Sequence, residues 1–309
     1  MTFYEHITEF AGKPVIDWDA EAGNDESGSV TYRIGIDWDE YEADLKWVDK
    51  FATFLEHPVS AAATGLVVGA WDGLAEMSGD ANQVVEAIVS ARERLSHLTA
   101  IFFGEVTSEE CEVSWIEQTD LSPIFAAYPD LEYVTVRGSV NLSLGTMRLP
   151  KLRSLVVETG GLNAQVVHEV SKSDLPALQH LELWLGTDNY GGTVTVDDLE
   201  PILSGSLFPN LKYLGLRDSD IADAVAAALA TAPIVERIEI LDISQGTLGD
   251  EGMEALLAST AITRLKKLDI HHHYCSEEMV TRVEALGIEV DVSERELEDK
   301  YGRYVAVGE

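Results

Sequence analysis

The feature that most constrains this chain is an apolar signature that returns seven times in one register. Apolar residues hold the first, fourth and sixth places in Leu98/Ile101/Phe103, Leu131/Val134/Val136, Leu152/Leu155/Val157, Leu178/Leu181/Leu183, Leu211/Leu214/Leu216, Ile238/Leu241/Ile243 and Leu265/Leu268/Ile270. Successive units begin 33, 21, 26, 33, 27 and 27 residues apart, and a degenerate unit at Leu66 and Val68 precedes them. Side chains alternate along a strand, so the fourth and sixth places share one face. Helical spacing lies between strands, at Asn82–Leu95 and in the alanine-rich run Ile221–Leu229. A strand-then-helix unit of this size cannot bury its apolar face alone. It must stack on its neighbours, and the core then grows along one axis. A length of 309 residues, which would otherwise suggest two domains, therefore fits a single stack.

Three regions follow. Residues 1–59 are predicted to form an N-terminal cap, a strand pair plus a helix. Its strands are the near-repeats Pro14–Asp19 and Ile34–Asp39, its loop is Glu21–Ser29, and its helix runs from Tyr41 to Glu56. Residues 60–292 form the stack, closed by the alternating strand Ile288–Val292. Residues 293–309 read as a charged, loosely held tail. Thr195 and Ser276 carry helix-start signals, and Gly287 a stop signal.

The stretch Ile238–Leu248 follows the pattern L-x-x-L-x-L-x-x-N-x-L with Gly246 in the Asn slot, and Leu241–Gly252 resembles repeats of the ribonuclease-inhibitor type. Glu109–Ile116, Leu181–Asp188 and Leu268–Tyr274 are similar to an uncharacterised family of cytoplasmic bacterial leucine-rich-repeat proteins. The resemblance implies an α/β leucine-rich-repeat solenoid, an arc with a parallel β-sheet on its concave face and helices on its convex face. It also implies protein binding, and it brings no catalytic residues with it. The chain departs from the usual ninth-place Asn: those positions are Val106, Ser139, Gly160, Gly186, Ser219, Gly246 and His273. No continuous amide ladder can form there, and His273 is expected to turn inward onto the loop backbone.

With the fourth and sixth places inside, the third, fifth and seventh point to the concave face. The third row reads Ala100, Tyr133, Ser154, His180, Tyr213, Ile240, Lys267. The fifth reads Phe102, Thr135, Val156, Glu182, Gly215, Asp242, Asp269, and the seventh Gly104, Arg137, Glu158, Trp184, Arg217, Ser244, His271. Aromatic residues and arginine dominate binding surfaces. The candidate partner-binding set is accordingly Phe102, Tyr133, Arg137, Glu158, His180, Glu182, Trp184, Tyr213, Arg217, Asp242, Asp269 and His271. On that reading, alanine at Trp184, Tyr213 and Arg217 abolishes partner capture and leaves stability nearly unchanged. The bland alternative has Arg137 pair with Glu158 and the aromatics pack together or under a loop. A metal-dependent alternative centres on Asp242, Asp269 and His271, since carboxylate and imidazole suit transition ions. A third alternative is self-assembly through the concave face.

The charge narrows the partners. With 21 basic and 55 acidic side chains the formal charge is −34, which repels nucleic-acid phosphates and anionic lipid. A protein or peptide, and a basic one if the acidity is functional, is the expected partner. No apolar run approaches the roughly 20 residues of a membrane span, and Met1–His6 lacks a signal-peptide pattern. Cys111 and Cys275 lie too many units apart to bridge, so a reducing cytoplasmic setting is expected. Phosphate-cradling, dinucleotide and nucleophile-elbow motifs are absent, and neither catalysis nor a cofactor is expected.

Overall fold

The computed structural model describes residues 3–21, 27–74 and 79–308. Its framework is an open sheet of twelve strands, hydrogen-bonded in strict sequence order. The first members are β1 (Glu9–Phe10), β2 (Lys13–Asp17), β3 (Thr31–Ile34) and β4 (Gly65–Val68). Then come β5 (Ala100–Phe103), β6 (Tyr133–Arg137), β7 (Ser154–Glu158) and β8 (His180–Gly186). The last are β9 (Tyr213–Ser219), β10 (Ile240–Asp242), β11 (Lys267–Asp269) and β12 (Glu289–Asp291). The β1–β2 pairing is antiparallel. The ladders from β2 to β12 are parallel, each joined by a crossover that returns the chain to the same end of the sheet.

The backbone register reproduces the rows read from the sequence. Ala100, Tyr133, Ser154, His180, Tyr213, Ile240 and Lys267 are successive partners, and so are Phe102, Thr135, Val156, Glu182, Gly215, Asp242 and Asp269. Fourth- and sixth-place residues such as Leu181, Leu183, Leu214 and Leu241 are fully buried in one continuous core. Each contributes about 1.5–3 kcal/mol by leaving water.

Nine α-helices occur among the described residues: α1 (Trp38–Glu42), α2 (Trp47–Glu56), α3 (Ala81–Ser90), α4 (Ser122–Ala127), α5 (Ala164–Ser171), α6 (Val196–Leu203), α7 (Ala222–Leu229), α8 (Asp250–Leu257) and α9 (Glu277–Glu284). Their apolar faces supply Val84, Ile88, Val167, Leu199 and Val225 to the same core. The shortest unit, between Leu131 and Leu152, contains no α-helix among the described residues. None of the described helices is long and apolar enough to cross a membrane. Ser276 caps α9 by accepting from the Met279 amide, and Asp198 accepts from the amide and hydroxyl of Thr195 at the start of α6.

Three expectations for the ends of the chain need correction. The stretch Ile34–Asp39 is not a strand. The strand is Thr31–Ile34, and Asp37 instead caps α1, accepting from the Glu40 amide at 2.8 Å. The helix predicted over Tyr41–Glu56 is two helices, broken at Asp44, whose φ of 61° is left-handed. Part of the loop Glu21–Ser29 lies outside the described residues. The segment after residue 293 is tied down: Arg303 pairs with Asp223, Ala306 donates to the Gln245 carbonyl, and Val307 is buried.

A ninth-place feature is explained by packing. Gly186 is left-handed at φ 66°, and a Cβ there would lie 2.0 Å from the Gly160 carbonyl oxygen. Two ninth-place backbones thus touch, and no asparagine fits between them. His273, at the same place, does turn inward: it is fully buried, its Nε2 meets the Val292 carbonyl at 3.0 Å, and its Nδ1 accepts from Cys275 N.

Candidate functional site

The twelve candidate residues do lie on one face of the sheet. They form a paired polar and aromatic lattice. Arg137 donates to Glu158 at 2.8 Å and to the Val106 carbonyl. Glu182 is the hub of the middle: it accepts from Arg217 Nη1 at 2.7 Å and Trp184 Nε1 at 2.6 Å, and its second oxygen meets His180 and the Tyr213 hydroxyl. Tyr213 also donates to Asp242 at 2.6 Å, while Arg217 Nε stands 3.4 Å from the same carboxylate. Burial opposes ionisation of Glu182. The His180 hydrogen bond, the Arg217 charge and the Trp184 indole outweigh it and hold its pKa down to about 2. Asp242 is pushed up by burial, which Arg217, Ser244 and Tyr213 only partly offset.

Access divides the set in two. Phe102, Arg137, Glu182, Trp184, Asp242 and Asp269 are buried. Tyr133, Glu158, His180, Tyr213, Arg217 and His271 are half-buried. What covers Phe102, Arg137 and Trp184 is the chain itself. Phe3 stacks on Trp184 with ring centroids 5.3 Å apart and lies under the Arg137 guanidinium at 3.6 Å. Phe10 packs on Phe102. From the other end, Val307 joins Trp184 and Val113 in a small apolar cluster. The expected exposed Trp–Arg hot spot is therefore filled by the chain's own terminal segments. Phe3 and Val307 follow no repeat pattern, so the register could not announce them.

The N-terminal segment is anchored by charge. Glu105, fully buried, accepts from His6 Nδ1 and Ile7 N, both at 2.9 Å, and from Arg33 at 3.1 Å. Burial opposes its ionisation, and the His6 and Ile7 bonds overcome it, so its pKa is lowered.

The C-terminal segment follows a line of left-handed eighth-place residues, Asp218 (φ 52°), Gln245 (φ 66°) and His272 (φ 54°). Tyr304 O meets His272 Nε2, Ala306 N donates to Gln245 O, and Val307 N donates to Asp218 Oδ1 at 2.9 Å. This seam leaves buried polar atoms without partners among the described residues, namely Asp218 Oδ2 and both amide atoms of Gln245. Burial pushes Asp218 well above the usual carboxylate range, against the Val307 hydrogen bond.

A test of the seam follows. Asp218→Asn keeps the acceptor for Val307, removes the ionisable oxygen and suits left-handed φ. Below the ordinary pKa of 3.8 both states of Asp218 are protonated and the substitution is neutral. As pH rises, the unfolded state ionises first and the wild type loses stability. Asp218→Asn is expected to gain about 1–2 kcal/mol at pH near 8 and nothing at pH near 3 in urea unfolding. An equal effect at both values would refute ionisation as the cause.

The metal grouping differs from the one expected. Asp269, His271 and Asp291 each place a ligand atom within 4.8 Å of the others. Asp242 is instead engaged by Tyr213, Ser244 and Arg217. Asp269 is itself committed, with one oxygen on His271 Nδ1 at 2.7 Å and the other on Lys267 at 2.8 Å, so an incoming cation competes with an ammonium group. Asp291 lies on β12, which the rows did not include. The thiols are inert by environment: burial, with acidic neighbours adding to it, raises Cys111 to about 11 and Cys275 to about 12.

Comparison with known proteins yields no matching family model and no matching curated protein. Among solved structures, the chain is similar to a protein from Bacteroides fragilis, with 32% identity and a TM-score of 0.83 over 90% of this chain and 77% of that one. An internalin from Listeria monocytogenes aligns at 13% identity and a TM-score of 0.37, over 86% of this chain and 92% of that one, too slight a likeness to bear on the argument.

Proposed function

The chain belongs to the family of that Bacteroides fragilis protein, and from this shared fold we propose that it is a non-enzymatic, leucine-rich-repeat-like scaffold of the cytoplasm. Its ladder face acts as the concave side of a solenoid and binds a protein or peptide. The observation that carries this reading is the third-place row. Tyr133, Ser154, His180, Tyr213, Ile240 and Lys267 all remain half-exposed, while the fourth-place residue that follows each of them is buried. His180 and Tyr213 stack within it at 3.9 Å and 9° between planes, a rigid flat step. Rigid aromatic surface buries area at little entropic cost on binding. The lattice beneath it fixes these side chains from behind. Recognition through Trp184 is not part of the proposal, because Phe3 and Val307 already occupy it.

The test combines Tyr133→Ala, His180→Ala and Ile240→Ala. Capture of a partner from native lysate is expected to fall at least about tenfold, which corresponds to roughly 1.4 kcal/mol, with the fold retained at a somewhat lower unfolding midpoint, since His180 also bonds Glu182. Undiminished capture would remove the third-place row from the function.

A further inference from the structure

A second surface lies at the other end of the sheet, beyond β3 and β4. A cavity of about 310 Å³ is floored by Ile36, Ala70 and Leu74 and walled by Trp38, Tyr41 and Trp71. Its charged lining is Asp37, Glu109 and Glu110, and no lysine, arginine or histidine is among its lining residues. A neighbouring cavity of about 530 Å³ shares Ile36, Asp37, Ala70 and Glu110 with it. The cationic groups bordering that second space are already paired, Arg33 with Asp17 and Glu105, Lys50 with Glu40, and His6 with Glu105 and, at 3.6 Å, Glu110. Trp38 is 65% exposed although it is the largest residue type, and its ring lies 6.1 Å from that of Tyr41.

We propose that this cleft binds the side chain of an arginine presented by a peptide or protein partner. Aromatic faces attract a cation through their negative π-clouds, and guanidinium, weakly hydrated and planar, stacks on them best. Glu109 supplies the complementary charge, supported by Asp37, which also caps α1, and by Glu110, which also accepts from Thr107 and stands 3.6 Å from His6. A metal ion fits poorly. Asp37, Glu109 and Glu110 do not converge as a ligand set, the one such grouping among the described residues being Asp269, His271 and Asp291. The cleft is also a concavity lined by apolar and aromatic groups with a few polar ones, which is how recognition pockets are built. The site uses none of the third-place row and stands independently of it.

The probe is the capped peptide Gly-Gly-Arg-Gly-Gly, titrated into the full chain and read by tryptophan fluorescence and calorimetry at low salt. The control peptide carries citrulline, the neutral isostere, in place of arginine. Saturable one-to-one binding is expected for arginine, weaker by at least about tenfold for citrulline. Trp38→Ala leaves the net charge at −34, so it separates a built site from general attraction to an acidic surface. It is expected to weaken binding about tenfold, and Glu109→Gln several-fold. Tyr133→Ala and His180→Ala are expected to leave it unchanged. Absence of saturable binding, or equal binding by Trp38→Ala with its fold intact, overturns the proposal.

Discussion

Arg217→Met is expected to lower stability by about 3–5 kcal/mol at neutral pH, the cost of leaving buried carboxylates without their counter-charge. Arg217 is the cation that touches both Glu182 (2.7 Å) and Asp242 (3.4 Å), and their side chains are 10% and 6% exposed. Methionine keeps most of the volume, so the loss reads out charge rather than a cavity. The pH dependence follows from Glu182. Its pKa falls from 4.5 to about 2 in the folded chain. A depressed carboxylate stabilises the fold above its ordinary pKa, and that contribution fades as pH drops from about 4.5 through about 2. Without Arg217 the depression shrinks, so the gap between variant and wild type is expected to narrow steadily below pH 4.5. Urea unfolding at a series of pH values measures it, and a gap independent of pH would show that packing, not charge, is the cause.

Trp184→Ala is expected to cost about 3–5 kcal/mol and to lower the unfolding midpoint by roughly 6–12 °C. The indole is 3% exposed, stacked on Phe3 and packed on Val113 and Val307, and its N–H is donated to Glu182. Its removal leaves a cavity, takes one of the two donors from a buried Glu182 oxygen that Arg217 still holds, and takes the shared contact from both terminal segments. Protease cleavage between Glu294 and Tyr304 should accelerate with it. A change below about 1 kcal/mol would mean the terminal segments pack adequately without the ring. The sequence alone points the opposite way, towards an exposed tryptophan whose loss spares the fold.

That reversal marks where the sequence stops being legible. The ladder rows were readable residue by residue because strand periodicity is local and each unit repeats it. His273 turning inward was readable for the same reason. What lies over the ladder was not. Phe3, Ile7 and Val307 belong to no repeat, and nothing in their spacing says which unit they meet. The cleft at Trp38 escaped because Tyr41–Glu56 looks like one continuous amphipathic helix. The break between α1 and α2 turns on the left-handed Asp44, within the short link of residues 43–46. Asp291 was overlooked because the closing strand was read as a lid rather than as one more rung. Arg137 pairs with Glu158 as the bland alternative has it, but not on the surface: the two side chains are 3% and 14% exposed.

Phe3 and Val307, some three hundred positions apart, share one tryptophan. An array whose units touch only their neighbours melts by fraying, losing its outermost rungs first while the interior persists. Here the outermost segments are fastened across the middle. Loosening either end uncovers Trp184 and the Glu182 lattice, and damage at the rim is transmitted directly to the centre. The molecule should therefore come apart all at once, with the calorimetric and van't Hoff enthalpies in agreement, where a linear stack of this length would be expected to show separate transitions.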